Sequence, residues 1–355
     1  MNGIIIYSLI SILIFLGYFI KNPDNSKKYF ILIFVLIFIF TAFRSVDLGG
    51  TDSLNYQDYF QFDVPALNNL AGYSHKYEIF FAIFASVSKN IINSYEFFQI
   101  LYTSFSLLLL FKIIKLIKIN ENERFFVLFS YFTYTFLWNN FVLLRQNIAI
   151  LIIWYLLIKL NETKIIKKII LIIISILWHI SSIFNLLLIP LLSVIKKFKV
   201  SRLYVLTLIL SLTSFIVSTY FSDQVFFLIS IISGDRFSGY EDASTINYIN
   251  LAFKLCIFTI YFLLYNKIEF THKKTLFAIA STALILSSYS LELSNRLVEY
   301  YTIGFFIILA IIPRGLEKKW KPLYLFSFLV VMVAILVRFI ITFSDGQLLE
   351  FSFMF

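Results

Sequence analysis

From Tyr29 to Phe43 the chain reads YFILIFVLIFIFTAF, without a charge and without strict apolar–polar alternation. Comparable apolar runs recur from end to end, close to the ~15–20 residues a helix needs to cross a hydrocarbon core of about 30 Å. Short alternating segments of the kind that build a membrane β-barrel are absent. With 60% hydrophobic residues over 355 positions, the chain carries more apolar side chains than a water-soluble domain can cover. The pattern predicts an all-α, polytopic integral membrane protein, with residues 1–355 forming a single membrane domain.

Spans are predicted at 3–20, 29–43, 95–117, 124–139, 145–160, 203–220, 249–266, 275–290, 297–313 and 322–343. The segment KKIILIIISILWHISSIFNLLLIPLLSVIKK (167–197) has lysines at both ends and a polar WHISS at its centre, which reads as a short-armed helical hairpin with His179 near the turn. HKYEIFFAIFASVSKN (75–90) is too short and polar for a full span and reads as a re-entrant or interfacial helix. About 12 transmembrane helices result, with both termini outside. Lysines then gather on one side, which the positive-inside bias makes cytoplasmic. Residues 44–94 and 221–248 become periplasmic loops. Residues 3–20 lack a basic leader and a cleavage site, and are expected to be retained as the first span. The net charge of +10 is a topology signal and not a nucleic-acid footprint. A lone Cys256 and three dispersed histidines argue against a disulfide or a zinc site, and no metal or cofactor is expected.

Arginine does not follow lysine. Arg44, Arg145, Arg236, Arg296 and Arg338 fall on the outer side, where lysine is nearly absent. A guanidinium fork suits phosphate oxygens better than an ammonium point charge does, so the pattern points to an anionic ligand at the outer face.

Individual residues carry competing readings. Arg44 ends the second span and is followed by Asp47, Gly49-Gly50, Asp52, Tyr56 and Tyr59, a ligand loop or an interfacial loop in which Arg44 pairs with an aspartate. Arg145-Gln146 opens the fifth span after WNNFVLL, read as a short outer loop; Arg145 is an anion ligand at a helix start or a snorkelling side chain. His179 is an ionisable group in an apolar segment, a base or phosphate partner, or a histidine satisfied by a carbonyl. Glu78 is a base for a hydroxyl, or the salt-bridge partner of Arg44 or Arg145. The loop SGDRFSGYEDAS (233–244) offers Arg236, and NRLVEYYTIGFF (295–306) offers Arg296 with Tyr300 four residues on, expected on one helix face. Phosphate-binding glycine loops, GxSxG and DxD motifs are missing. A glycosyl transfer at this face would therefore use a lipid-linked donor, whose pyrophosphate accounts for the arginines.

FRSVDLGGTDSLNYQDYF, YEIFFAIF, LLRQNIAI, WHISSIFNLLLIPLL and NRLVEYYTIGFFIILAII, in this order from about Phe43 to Ile312, resemble the EpsG family of Wzy-like surface-polysaccharide polymerases. The matching positions are Arg44, Asp52, Tyr56, Glu78, Arg145, Gln146, His179, Ser181 and Arg296. The resemblance implies a GT-C-like glycosyltransferase of the bacterial inner membrane. It would join undecaprenyl-pyrophosphate-linked repeat units, with a chain-length regulator as a further possible partner. In this reading Arg44, Arg145, Arg236 and Arg296 hold the pyrophosphate with Asp52, Tyr56, Gln146 and Tyr300 around the substrate. Glu78 or His179 takes the acceptor proton, giving metal-independent transfer with inversion. An O-antigen ligase, a lipid-linked oligosaccharide flippase and a membrane O-acyltransferase are the alternatives.

Overall fold

Asparagine and serine set where several helices begin. In the computed structural model, Asn2 Oδ1 accepts the Ile5 N–H at 3.3 Å, Asn22 Oδ1 those of Asp24 and Asn25 at 2.9 and 3.2 Å, and Ser94 Oγ that of Phe97 at 3.3 Å. Asn120 and Glu123 form a reciprocal capping box. Each cap satisfies N–H groups that the first helical turn leaves without an intrahelical partner.

The structure describes residues 2–72, 77–220, 248–289 and 292–354. Their α-helices are α1 (Gly3–Leu16), α2 (Pro23–Ala42), α3 (Gly50–Asp58), α4 (Ile79–Ile91), α5 (Tyr95–Leu116), α6 (Glu121–Tyr131), α7 (Leu144–Ile158), α8 (Ile165–Trp178), α9 (Asn185–Ile195), α10 (Val200–Tyr220), α11 (Tyr248–Leu264), α12 (Lys273–Ser287), α13 (Glu292–Glu299), α14 (Ile303–Gly315) and α15 (Lys321–Thr342). Extended pairing among the described residues is limited to two isolated bridges, Asn2 with Glu350 and Arg44 with Phe353.

The all-α expectation holds among the described residues. Four helices, α2, α5, α10 and α15, are long and apolar enough to cross a membrane, and shorter apolar helices accompany them, as a multi-pass membrane protein requires. Leu32, Leu108, Ile209, Leu212 and Val330 lie exposed on these four helices. Apolar side chains there are the surface a hydrocarbon solvent would wet.

The chain forms two units, Met1–Ile180 with Glu317–Phe355, and Ser181–Leu316. In the first, α2, α5, α6 and α7 share an aromatic core: Phe30 and Phe34 each lie 5.1–5.6 Å from Phe111, and Phe126 stacks on Phe328 of α15 at 4.2 Å. The tail after α15 returns to the end of α2 and to Asn2: Ser45 N–H donates to Ser352 O at 2.9 Å, Met354 N–H to Phe43 O at 3.0 Å, and Glu350 bridges Asn2. Asn2 and the described end of the tail thus lie at the end of this unit that carries Arg44. In the second unit, α12 and α14 are buried on nearly every side, matching their uniformly apolar sequences.

Three local expectations change. WNNFV is not a loop: Trp138–Val142 continues the helical path of α6 in π-helical form, and the chain breaks only at Leu143 (φ −92°, ψ 46°). The span expected at 297–313 is interrupted, with α13 ending at Glu299 and α14 starting at Ile303, so Arg296 and Tyr300 do not share a regular helix face. The arms of the expected hairpin, α8 and α9, belong to different units. The segment expected to be re-entrant does form a short helix, α4.

Gly50 opens α3 at φ 65°, ψ −162°, a backbone region essentially confined to glycine. Gly50→Ala is expected to cost about 1–3 kcal/mol. A lowered melting temperature in detergent micelles checks it, and an unchanged one would contradict the strain.

Candidate functional site

Three helix ends in the first unit bring the charged residues together. Glu78 is the extended residue before α4 (φ −66°, ψ 148°), Arg145 lies in the first turn of α7 after the break at Leu143, and His179 is the extended residue that ends α8 (φ −160°, ψ 123°). Arg145 Nη1 donates to Glu78 Oε2 at 2.5 Å, with side chains 22% and 15% exposed. Arg145 Nε donates to the Tyr56 hydroxyl at 3.4 Å, and its guanidinium lies 4.3 Å from the centre of the Tyr77 ring. Glu78 Oε1 accepts the Ile180 backbone N–H at 3.2 Å. Among the described residues Arg145 Nη2 makes no hydrogen bond. The guanidinium is therefore fixed on one edge and has a nitrogen left for an anion.

Burial raises the Glu78 carboxyl's proton affinity, but the Arg145 charge and its hydrogen bond more than offset this and hold it below the usual carboxylate range. Glu78 is thus a carboxylate at neutral pH and a weak base. Because its folded value is depressed, its contribution to stability is complete above the ordinary glutamate value of about 4.3 and is lost as pH falls through the lower folded value. Melting temperature against pH should therefore drop less steeply on the acid side in Glu78→Gln than in the parent. Parallel curves would contradict the depressed value.

Asp52 is exposed in the first turn of α3, one turn before Tyr56, whose hydroxyl its charge reaches. There an acid also complements the helix dipole. Gln146 is buried beside Arg145. Tyr56, Glu78, Arg145 and His179 are thus assembled, with Asp52 and Gln146 adjoining.

Arg44 has different surroundings. It is 1% exposed, donates from Nη1 to Thr41 O at 2.7 Å and from Nη2 to Asn140 O at 3.3 Å, and lies 4.1 Å from the centre of the Phe141 ring. Gln99 Nε2 bonds the Arg44 carbonyl at 2.9 Å. Among the described residues Arg44 pairs with neither Asp47 nor Asp52, which removes the expected Arg–Asp loop pair. Its role here is to tie the end of α2 to the π-helical stretch and the C-terminal tail.

Arg296, Tyr300 and Ser181 belong to the second unit. Arg296 is half-buried, and the Tyr300 hydroxyl bonds Ser181 Oγ at 2.9 Å and Ser182 Oγ at 2.8 Å, fastening the approach to α9. Arg236 lies outside the described residues.

The sequence reading missed the Tyr77 ring and the Ile180 N–H as parts of the Arg145–Glu78 site. It also missed the polar bed under α7. There Asn140 Oδ1 accepts from Ser106 Oγ at 2.8 Å and Asn147 Nδ2 at 3.0 Å. Asn140 Nδ2 donates to the Tyr131 hydroxyl at 3.1 Å and to Phe136 O at 3.0 Å, and Tyr102 donates to Leu144 O at 2.8 Å. Two consecutive asparagines in an apolar run were the available signal.

A model of the EpsG family matches residues 27–353, a range that contains this whole site. The chain belongs to the EpsG family. No curated protein and no solved structure matches it. EpsG membership takes in α2 to α15 and the tail that closes on Arg44, a longer stretch than the motifs at Phe43 to Ile312 alone.

Proposed function

We propose that this EpsG-family protein is a Wzy-type polysaccharide polymerase. It joins undecaprenyl-pyrophosphate-linked oligosaccharide repeat units at the outer face of the cytoplasmic membrane, which it crosses about twelve times. The observation that carries the reading is the Arg145 guanidinium, braced by Glu78, Tyr56 and Tyr77, with Nη2 open and His179 next in the chain to the Ile180 N–H that Glu78 accepts.

The acceptor hydroxyl oxygen attacks the anomeric carbon of the donor sugar. The anomeric C–O bond breaks with its electron pair going to the pyrophosphate oxygen, and the configuration inverts. Arg145 stabilises the charge growing on that leaving group, which makes a metal unnecessary for the step. The hydroxyl proton goes to the His179 imidazole, whose positive charge the Glu78 carboxylate then stabilises. Of the two candidate bases, His179 is the better one, because the Arg145 charge depresses the proton affinity of Glu78.

The glycan ladder of a gene deletion complemented with the parent gene or with His179→Ala tests this. The deletion should leave the acceptor lipid bearing a single repeat unit, and only the parent should restore the ladder. Loss of all attached glycan would indicate a ligase or flippase, and an intact ladder in the deletion would refute glycosyl transfer.

A further inference from the structure

A groove of about 340 Å³ runs between α2 and α5, lined by Ile31, Phe34, Val35 and Phe38 on one helix and by Ser104, Leu107, Leu108 and Phe111 on the other. Both sets follow the i, i+3, i+4, i+7 spacing of a single helix face. Its one hydroxyl, Ser104 Oγ, is turned back onto Ile100 O at 2.7 Å, so the lining is apolar. Ile31, Val35 and Leu108 are exposed along it, while Phe34 and Leu107 form a buried floor.

The two stripes continue into lysine at the same end. On α2 the positions one turn before Ile31 are Lys27 and Lys28; on antiparallel α5 the positions one turn after Leu108 and Phe111 are Lys112 and Lys115. All four are exposed. Lys115 Nζ lies 4.2 Å from the centre of the Phe111 ring, at the mouth of the groove, and Lys27 pairs weakly with Asp24 at 3.7 Å. Lys28 and Lys112 have no carboxylate partner among the described residues. The other end of the groove, at Phe38 and Ser104, carries no such charge.

We propose that this groove is a binding site for an anionic glycerophospholipid of the leaflet the lysines face. One acyl chain lies along the apolar stripe and the phosphate headgroup rests on Lys28, Lys112 and Lys115. The length of the stripe favours this occupant. The eight residues of helix from Ile31 to Phe38 span about 10 Å, which fits within one leaflet, half of a hydrocarbon core of about 30 Å, and not a long polyprenyl chain. Basic side chains at the membrane end of an interhelical groove attract anionic headgroups. The site is independent of the polymerase reading and holds whatever reaction the Arg145 site performs.

Native mass spectrometry of the full chain, delipidated in detergent and titrated with phosphatidylglycerol or with phosphatidylcholine of the same acyl chains, tests it. The parent should retain phosphatidylglycerol in preference. The Lys28→Gln/Lys112→Gln/Lys115→Gln variant should weaken that binding on the order of 10- to 100-fold while leaving phosphatidylcholine unchanged. Val35→Trp, which fills the groove from its exposed side, should weaken both lipids. Equal retention of the two lipids by the parent, or an undiminished preference in the lysine variant, would overturn the site. Displacement of phosphatidylglycerol by undecaprenyl phosphate in the parent, but not in Val35→Trp, would assign the groove to the carrier lipid and overturn the proposal too.

Discussion

Arg145→Ala is expected to lower repeat-unit polymerisation by about 100- to 1,000-fold, the effect of removing one fixed donor from a developing oxyanion. Two consequences of the substitution must be separated. On the proposed mechanism, losing the guanidinium removes stabilisation of the leaving pyrophosphate. It also leaves the Glu78 carboxylate half-buried without its cation, and breaking a buried pair from one side costs about 3–5 kcal/mol. Arg145→Ala combined with Glu78→Gln relieves the second consequence and not the first. The double variant should therefore recover melting temperature while remaining inactive. Arg145→Lys keeps the charge but cannot reach Tyr56, Glu78 and an anion at once, and should stay well below the parent in rate. Turnover of purified protein, read beside its melting temperature, checks all three. Recovery of activity in the double variant would mean that Arg145 serves stability alone.

The second large effect concerns two neighbours of the same residue type. Asn140→Leu is expected to destabilise by about 1–3 kcal/mol or more, because it leaves the buried Ser106 Oγ without its acceptor and takes one bond each from Asn147 Nδ2, the Tyr131 hydroxyl and the Phe136 carbonyl, the first two of which keep a second partner. Asn139→Leu should be neutral or stabilising. Asn139 is fully buried, and neither its Oδ1 nor its Nδ2 has a hydrogen-bond partner among the described residues. Replacing an unsatisfied amide by an apolar group of similar size removes a cost and no bond. Thermal melting of the two variants side by side decides the matter. Equal losses would contradict the hydrogen-bond pattern around α7.

Much of the candidate site was legible because it lies where polar residues interrupt apolar runs. A histidine in the middle of 167–197 announced the break that ends α8, and Glu78 at the head of a short apolar stretch announced the start of α4. That Glu78 pairs with Arg145 and not Arg44 was not legible, since both arginines follow apolar runs at what reads as the same membrane side. What separates them is burial: Arg44 is closed in by the C-terminal tail and Phe141, contacts far apart in sequence. Periodicity also failed at Trp138–Val142, because a π-helical stretch shifts the face that each residue presents, so the asparagines read as loop. The break at Tyr300–Thr302 was hidden for a related reason: tyrosine and threonine are compatible with a continuous span, and serine hydroxyls on Tyr300 fix the turn.

The most direct measurement is turnover by the purified chain in liposomes supplied only with undecaprenyl-pyrophosphate-linked repeat units, in the presence of a metal chelator. The account predicts glycans lengthened by whole repeat units, with undecaprenyl pyrophosphate released in step. Arg145→Ala, combined with Glu78→Gln to relieve the unpaired carboxylate, and His179→Ala should lower both products by about 100-fold or more in protein that remains folded. Undiminished elongation by these two variants would contradict the assignment of the site, and failure of the parent to elongate under these conditions would contradict the polymerase.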